Sequence, residues 1–219
     1  QALSASSPFW GGSDTGYASN RALMFQQLPT AGLPFQFTAW SEFERYVADM
    51  LQTGVIDDLT EVRWDVRPSP RFGTIEVRIC DGVPDLAELL ALSALTHCLV
   101  EHFSRELDAG RALPSIPPWF AQENKWRAAR YGMDAILILD DRGEEGLVVD
   151  DTHRLLRMLE PVAEDLGCVA ELADVENVVQ VGASYERQRA IARANGGALD
   201  AVVASLVAEM RAGRPIGGR

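Results

Sequence analysis

The chain has 219 residues, 47% apolar and 24% charged, with a net charge of −12. That length can bury a sizeable core. The acidity excludes nonspecific nucleic-acid binding, which needs a cationic footprint.

Lys125 is the only lysine, so the basic residues are almost all arginine. The planar arginine fork suits carboxylate and phosphate recognition. Cys80, Cys98 and Cys168 are unclustered and lack C-x-x-C spacing. That argues against a disulfide framework or a zinc site and fits a reducing cytoplasm. No uninterrupted apolar run reaches the ~18 residues of a membrane span, so no membrane partner is expected. The opening "QALSASSPFW" has neither an initiator Met nor a signal-peptide charge pattern, so the chain reads as starting inside a longer sequence.

In chain order, residues 1–37 are rich in Gly, Ser and Pro, yet "SSPFWGGSDTGYASNR" holds Phe9, Trp10 and Tyr17, the mark of an ordered loop. Ser41-x-x-Glu44 reads as a capping box opening a helix that Gly54 stops. Residues 61–67 alternate Val62, Trp64 and Val66 against charged residues, a half-buried strand ended by "PSP". Residues 73–80 form a second strand. Ile75, Val77 and Ile79 make its core face, and Thr74, Glu76 and Arg78 the other. Antiparallel pairing across the Pro-rich turn puts Asp65, Arg67, Glu76 and Arg78 on one face.

Asp85-x-x-Glu88 caps a long helix to about Leu107, with Leu92, Leu95, Leu99 and Phe103 as its buried stripe. His97 and His102 ride on it without an assigned role. After "LPSIPPW" comes the helix "FAQENKWRAARY", closed by Gly132, with Glu123, Arg127 and Arg130 on one face. Residues 134–139 form a buried strand and "LVVD" returns as a hairpin. Helix resumes from Thr152, with a kink expected at Pro161. Another helix starts near Ser184 and breaks at Asn195-Gly-Gly197. The last turns Leu199, Val202/Val203, Leu206/Val207 and Met210 inward. Strands and helices are segregated, so the fold class is α+β, read as a single domain over 1–219.

No G-x-S-x-G elbow, Walker motif or G-x-G-x-x-G is present. What remains is an acidic strand residue among arginines. That set suits electrostatic chemistry: a carboxylate for Mg²⁺, and guanidinium groups for phosphate or a substrate carboxylate.

Three segments together resemble the carboxylate–amine ligase family related to bacterial glutamate–cysteine ligase of the second type. They are "LSASSPFWGGSDTGYASNR" (3–21), "WDVRPSPRFGTIEVRICD" (64–81) and "ENKWRAARYGMDA" (123–135), with a weaker fourth, "VGASYERQRA" (181–190). The resemblance implies a glutamine-synthetase-like fold, in which an antiparallel sheet forms a funnel with helices on its outer face. It implies a cytoplasmic enzyme of thiol biosynthesis akin to the glutathione route. ATP would phosphorylate the γ-carboxylate of glutamate, and the amine of cysteine or another acceptor would attack the acyl phosphate. By position, Glu76 matches the strand acid that ligates Mg²⁺. Arg78 matches a residue on phosphate or the substrate carboxylate. Tyr17 and Arg21 match the loop on the amino-acid substrate, with Arg21 and Arg78 as catalytic candidates. Arg67 is a further substrate contact, and Arg71, Arg127 and Arg130 are nucleotide contacts. Asp81 is a structural cap instead.

Such enzymes begin with a strand bearing further acidic metal ligands. This chain therefore resembles the C-terminal portion of the catalytic domain, and its missing N-terminal half is an expected partner. As a fragment it is expected to be inactive. A non-catalytic, amino-acid-binding or interaction module is the alternative, and a guanidino-kinase-like phosphotransferase is a weaker one. The acceptor amine and the oligomeric state, homo-oligomer included, stay open.

Overall fold

A computed structural model describes residues 1–217. The chain divides into two compact units. One is Arg21–Cys80; the other joins Gln1–Asn20 to the residues from Asp81 onward. The strands form three separate antiparallel pairs among the described residues, and helices dominate, so the architecture is α+β as expected.

The N-terminal stretch makes a minimal hairpin, β1 (Phe9–Trp10) and β2 (Ser13–Asp14), followed by α1 (Asn20–Phe25). In the smaller unit, α2 (Trp40–Gln52) starts one residue before Ser41. Its true cap is Glu42, whose carboxylate accepts from the backbone N–H groups of Thr38 (2.6 Å) and Ala39 (3.2 Å). The Ser41–Glu44 pair lies inside the first turn instead. The unit's core is aromatic: the Trp64 ring meets Phe35, Phe37, Phe43 and Tyr46 at centroid distances of 4.8–5.9 Å.

The strand expected over 61–67 is later and shorter. Leu59–Glu61 is a 3₁₀ turn, and β3 spans Val66–Ser69, paired with β4 (Thr74–Val77). Pro68 lies within β3 rather than ending it, because a two-stranded sheet leaves one edge of each strand open. The expected alternation holds at Val62 and Trp64, both buried, and fails at Val66 and Ile75. Ile75, assigned to a core face, is 55% exposed, whereas Asp65 and Arg67 are buried. Trp64 and its aromatic neighbours already form the core, so the apolar side of the hairpin is left open. The charged side finds backbone carbonyls and counter-ions.

In the larger unit, α3 (Leu86–Asp108) is N-capped by Asp85, which accepts from Glu88 N–H at 3.0 Å. By length and apolarity α3 could cross a membrane, the only such helix among the described residues, with a mean hydropathy of 1.3. Glu88, Thr96, His97 and Glu101 interrupt its apolar run, and it packs on the helices Val148–Leu166 and Val169–Ala173. Its buried stripe is Ala91, Ala94, Leu95 and Cys98, shifted from the expected leucines toward small residues that allow close approach. After it come α4 (Pro118–Tyr131), β5 (Ile136–Ile138), β6 (Glu145–Leu147) and α5 (Val148–Leu166). The returning strand is thus Glu145–Leu147, and most of "LVVD" already belongs to α5, which runs on through Pro161. Gly132, at φ +56°, closes α4 where a Cβ would collide with the Tyr185 ring.

The remaining helices are α6 (Val169–Ala173), α7 (Val175–Val181), α8 (Ser184–Ala194) and α9 (Leu199–Ala212). α3 packs on α5 and α6, and α8 on α9. α9 is rotated from expectation: Val203 and Met210 are 60% and 68% exposed, while Val202 and Glu209 are buried. The cause is Arg187 on α8. Its guanidinium meets Glu209 (3.0 and 3.2 Å), Glu88 (2.6 and 3.1 Å) and the Gly182 carbonyl (2.5 Å), with Asp85 at 3.8 Å. One buried cation thereby ties α3, α8 and α9 together.

Replacing Arg187 with Leu strands three buried carboxylates. The expected cost is about 3–5 kcal/mol in urea unfolding, and a change below about 1 kcal/mol would contradict the assignment. Burial also pushes the Glu88 carboxyl up to about 7, with Asp85 adding to the rise and Arg187 opposing it. The folded state therefore holds this proton more firmly than the unfolded chain, whose value is 4.5. The sign follows: Glu88's contribution is complete below the unfolded value and lost as pH rises through about 7. Stability should fall between pH 5 and 8 by at most ~3 kcal/mol, and Glu88→Gln should flatten that slope.

Candidate functional site

The hairpin β3–β4 sets the first constellation. Its register places Arg67 opposite Glu76, and Arg78 N–H donates to the Asp65 carbonyl at 2.7 Å. Glu76 is held from both sides. Arg67 Nε donates to Oε2 at 2.8 Å, and an Arg78 terminal N–H donates to Oε1 at 2.6 Å. Partial burial alone would raise the Glu76 carboxyl, but hydrogen bonds from Arg78 and Arg67 outweigh it and hold it below its ordinary value. Arg67 also donates to the carbonyls of Val62 (2.8 Å) and Thr60. Arg21 donates to the Arg78 carbonyl at 2.8 Å, and both guanidinium groups lie over the Phe25 ring, at 4.9 and 5.6 Å. Four of the expected site residues therefore meet here: Arg21, Arg67, Glu76 and Arg78. Arg71 sits apart at the exposed hairpin turn, over the Phe72 ring. One detail stands out chemically. The Nε of Arg78 is buried without a hydrogen-bond partner among the described residues.

The second constellation belongs to the larger unit and is the N-terminal loop. Asp81 anchors it, accepting from Ser6 N–H (3.0 Å), Ser7 Oγ (2.6 Å) and Ser19 Oγ (2.7 Å). Arg189 grips Asp14 through two 2.8 Å hydrogen bonds and donates to the Tyr17 carbonyl at 3.1 Å. Arg130 donates to the Gly16 carbonyl and lies 4.9 Å over the Tyr17 ring, which meets Trp126 edge-on at 6.5 Å. Gly16, at φ +77°, has no room for a Cβ against that guanidinium. Tyr17 and Arg130 are thus brought together. Arg127 turns elsewhere, to Glu123 (2.9 Å), Glu145 (2.6 Å) and the Ile136 carbonyl (2.9 Å).

As a set, the described residues do not fit Mg²⁺. No group of three or more metal-ligating side chains is present among them. Glu76 is one carboxylate with both oxygens on guanidinium groups, a field that opposes a dication.

Sequence reasoning missed Arg187 and Arg189, although the segment "VGASYERQRA" that carries them resembled the family. It missed Phe25 and Trp126 as platforms too. Charge at helical spacing was the available signal, but the partners are remote in sequence. Asp81 is the structural cap that was expected.

Comparison with known proteins points one way. The model of a family described as glutamate–cysteine ligase family 2 matches residues 1–205. The chain is 63% identical over 213 residues to the "Putative glutamate–cysteine ligase 2-1" of Arthrobacter sp. (strain FB24), covering 97% of this chain and 56% of that protein. It is 64% identical over 209 residues to the "Putative glutamate–cysteine ligase 2" of Mycobacterium ulcerans, covering 95% of this chain and 53% of that protein. The chain spans about half the length of the curated relatives it matches.

Replacing Asp81 with Ala removes three accepted hydrogen bonds at a buried carboxylate. We expect a loss of about 3 kcal/mol and faster proteolytic cleavage within residues 1–20. Wild-type protection of that segment would show that the loop is held by other means.

Proposed function

The chain belongs to glutamate–cysteine ligase family 2, and from that premise we propose that the whole protein is an ATP-dependent carboxylate–amine ligase. Its reaction forms a γ-glutamyl amide from glutamate and an amine such as cysteine, through an acyl phosphate. Such a reaction needs no enzyme nucleophile, since the substrate carboxylate attacks the phosphoryl group. The protein must hold two mutually repelling anions in line, and guanidinium groups do this by charge and by directed N–H groups.

The observation that carries this reading is Arg78. One of its N–H groups is fixed by Glu76, and its buried Nε–H is unpaired among the described residues. A donor that is already desolvated and oriented gains a full hydrogen bond when an anionic oxygen arrives. Arg67 and Arg21 add positive charge beside it. In the proposal Glu76 acts first as the anchor that aims Arg67 and Arg78. Tyr17 contacts the amino-acid substrate, and Arg71 and Arg130 contact nucleotide phosphate. Arg127 joins them only by leaving Glu123 and Glu145. ATP and Mg²⁺ belong to the whole protein here. The described residues do not make a metal site, and no step is assigned to the metal from them. The reaction is one of small cytoplasmic molecules.

A second reading rests on Glu76, whose two oxygens are both held by guanidinium groups. Taken alone, residues 1–219 bind an amino acid without turnover. Calorimetry on the fragment tests this: glutamate binding without ATP binding supports it, and binding of both or neither counts against it.

For the ligase, the full-length protein with ATP, Mg²⁺, glutamate and cysteine should release ADP and phosphate. A folded protein giving no ADP with a panel of amines would overturn the proposal. Arg78→Lys loses the planar fork and should lower kcat/KM by about 10-fold or more. Glu76→Gln frees both arginines and should lower it by about 100-fold, with the far-UV spectrum unchanged. Wild-type rates in both variants would remove the hairpin from the site.

A further inference from the structure

The three cysteines look unrelated in sequence, yet two of them meet. Cys98 Sγ and Cys168 Sγ are 3.6 Å apart, across 70 residues of chain. Both are free thiols. Cys98 is fully buried on the inner face of α3, in the cluster formed with Leu159, Val162, Ala163 and Leu172. Cys168 lies between α5 and α6 and is half-buried. Its backbone is fixed at both ends: its N–H donates to the Ala163 carbonyl at 2.9 Å, and its carbonyl accepts from Leu172 N–H at 3.0 Å. The main chain therefore holds the two thiols facing one another. Only about 1.5 Å of sulfur movement separates this contact from a bond.

We infer that Cys98 and Cys168 form an oxidation site, in which a peroxide or a low-molecular-weight disulfide converts the thiol pair into an intrachain disulfide between α3 and the α5–α6 junction. The two thiols have different parts. Cys168 is the one solvent reaches, so it meets the oxidant. With hydrogen peroxide its thiol becomes a sulfenic acid and one water leaves. The Cys98 sulfur then attacks the Cys168 sulfur, the S–O bond breaks, and the Cys98 proton leaves with the hydroxide as a second water. Two thiols are oxidised by two electrons and one peroxide is reduced to two waters. With a small disulfide the same two electrons release two small thiols. Burial pushes the Cys98 thiol up to about 11, with Cys168 adding to the rise, so Cys98 is inert by itself and acts only on the oxidised partner beside it.

Cys98 already meets Cys168 within the larger unit. A bond closing a loop of this length restricts the unfolded chain far more than the folded one.

The test is made on the full-length protein, treated with hydrogen peroxide and digested without reduction. Expected is one cross-linked peptide pair containing Cys98 and Cys168, an intact mass lower by two hydrogens, and full reversal by dithiothreitol. The oxidised protein should unfold about 5 °C or more higher than the reduced one. Cys168→Ser should abolish the cross-link while leaving the far-UV spectrum unchanged. Cys98→Ala should instead let Cys168 proceed to sulfinic acid, and Cys80→Ser should change nothing. Sulfinic acid at Cys168 in the wild type without a cross-link, or a cross-link through Cys80, would overturn the assignment.

Discussion

One carboxylate between two guanidinium groups constrains everything the hairpin can do. Glu76 bonds Arg67 on the facing strand and Arg78 two residues along its own. Without it, two like charges would repel across a narrow sheet, at about 4 kcal/mol for a 4 Å separation and an effective dielectric near 20. With it, both arginines are fixed in direction, and Arg67 completes its shell on the Val62 and Thr60 carbonyls. The arrangement sacrifices apolar burial: Ile75 faces outward so that Arg67 can face inward. A hairpin selected for stability alone would put its aliphatic side against the core. This one holds a charged surface in a set geometry, which is what recognition of anionic substrates needs.

The larger unit solves a related problem with opposite signs. There a single arginine, Arg187, serves three acids from two other helices and a helix cap. The acids outnumber the cation, and burial, with the charge of Asp85 added, raises Glu88 toward its protonated form. The cost of enclosing such a cluster is recovered in position, since α9 must turn Glu209 inward and its aliphatic residues outward. That leaves Val203, Val207 and Met210 on one exposed face.

What could be read from sequence was mostly local. The Asp85 cap is an interaction over three residues, and it stands as expected. The break at Asn195-Gly-Gly197 and the antiparallel pairing of the hairpin strands are likewise settled by nearby residues. Alternation, however, says only that the two faces of a strand differ. It does not say which face is covered, because that depends on where Trp64 and its neighbours gather. Arg187 was invisible for the same reason: Glu88 lies 99 residues away. The Glu209 side of α9 reads as the polar face until its partner is known. Among the candidate residues, the proximity of Arg67, Glu76 and Arg78 was legible because one hairpin carries them all. Arg127 was placed with Arg130 by helical spacing, yet local acids on the neighbouring hairpin claim it. The family's motifs drew attention to "VGASYERQRA" without telling what its arginines hold.

A structure of the full-length protein with glutamate and a non-hydrolysable ATP analogue is the most direct test. An anionic substrate oxygen should lie within about 3 Å of Arg78 Nε, with Glu76 still bridging Arg67 and Arg78. Substrates bound elsewhere, with that N–H still unpaired or facing only water, would contradict the role given to this hairpin.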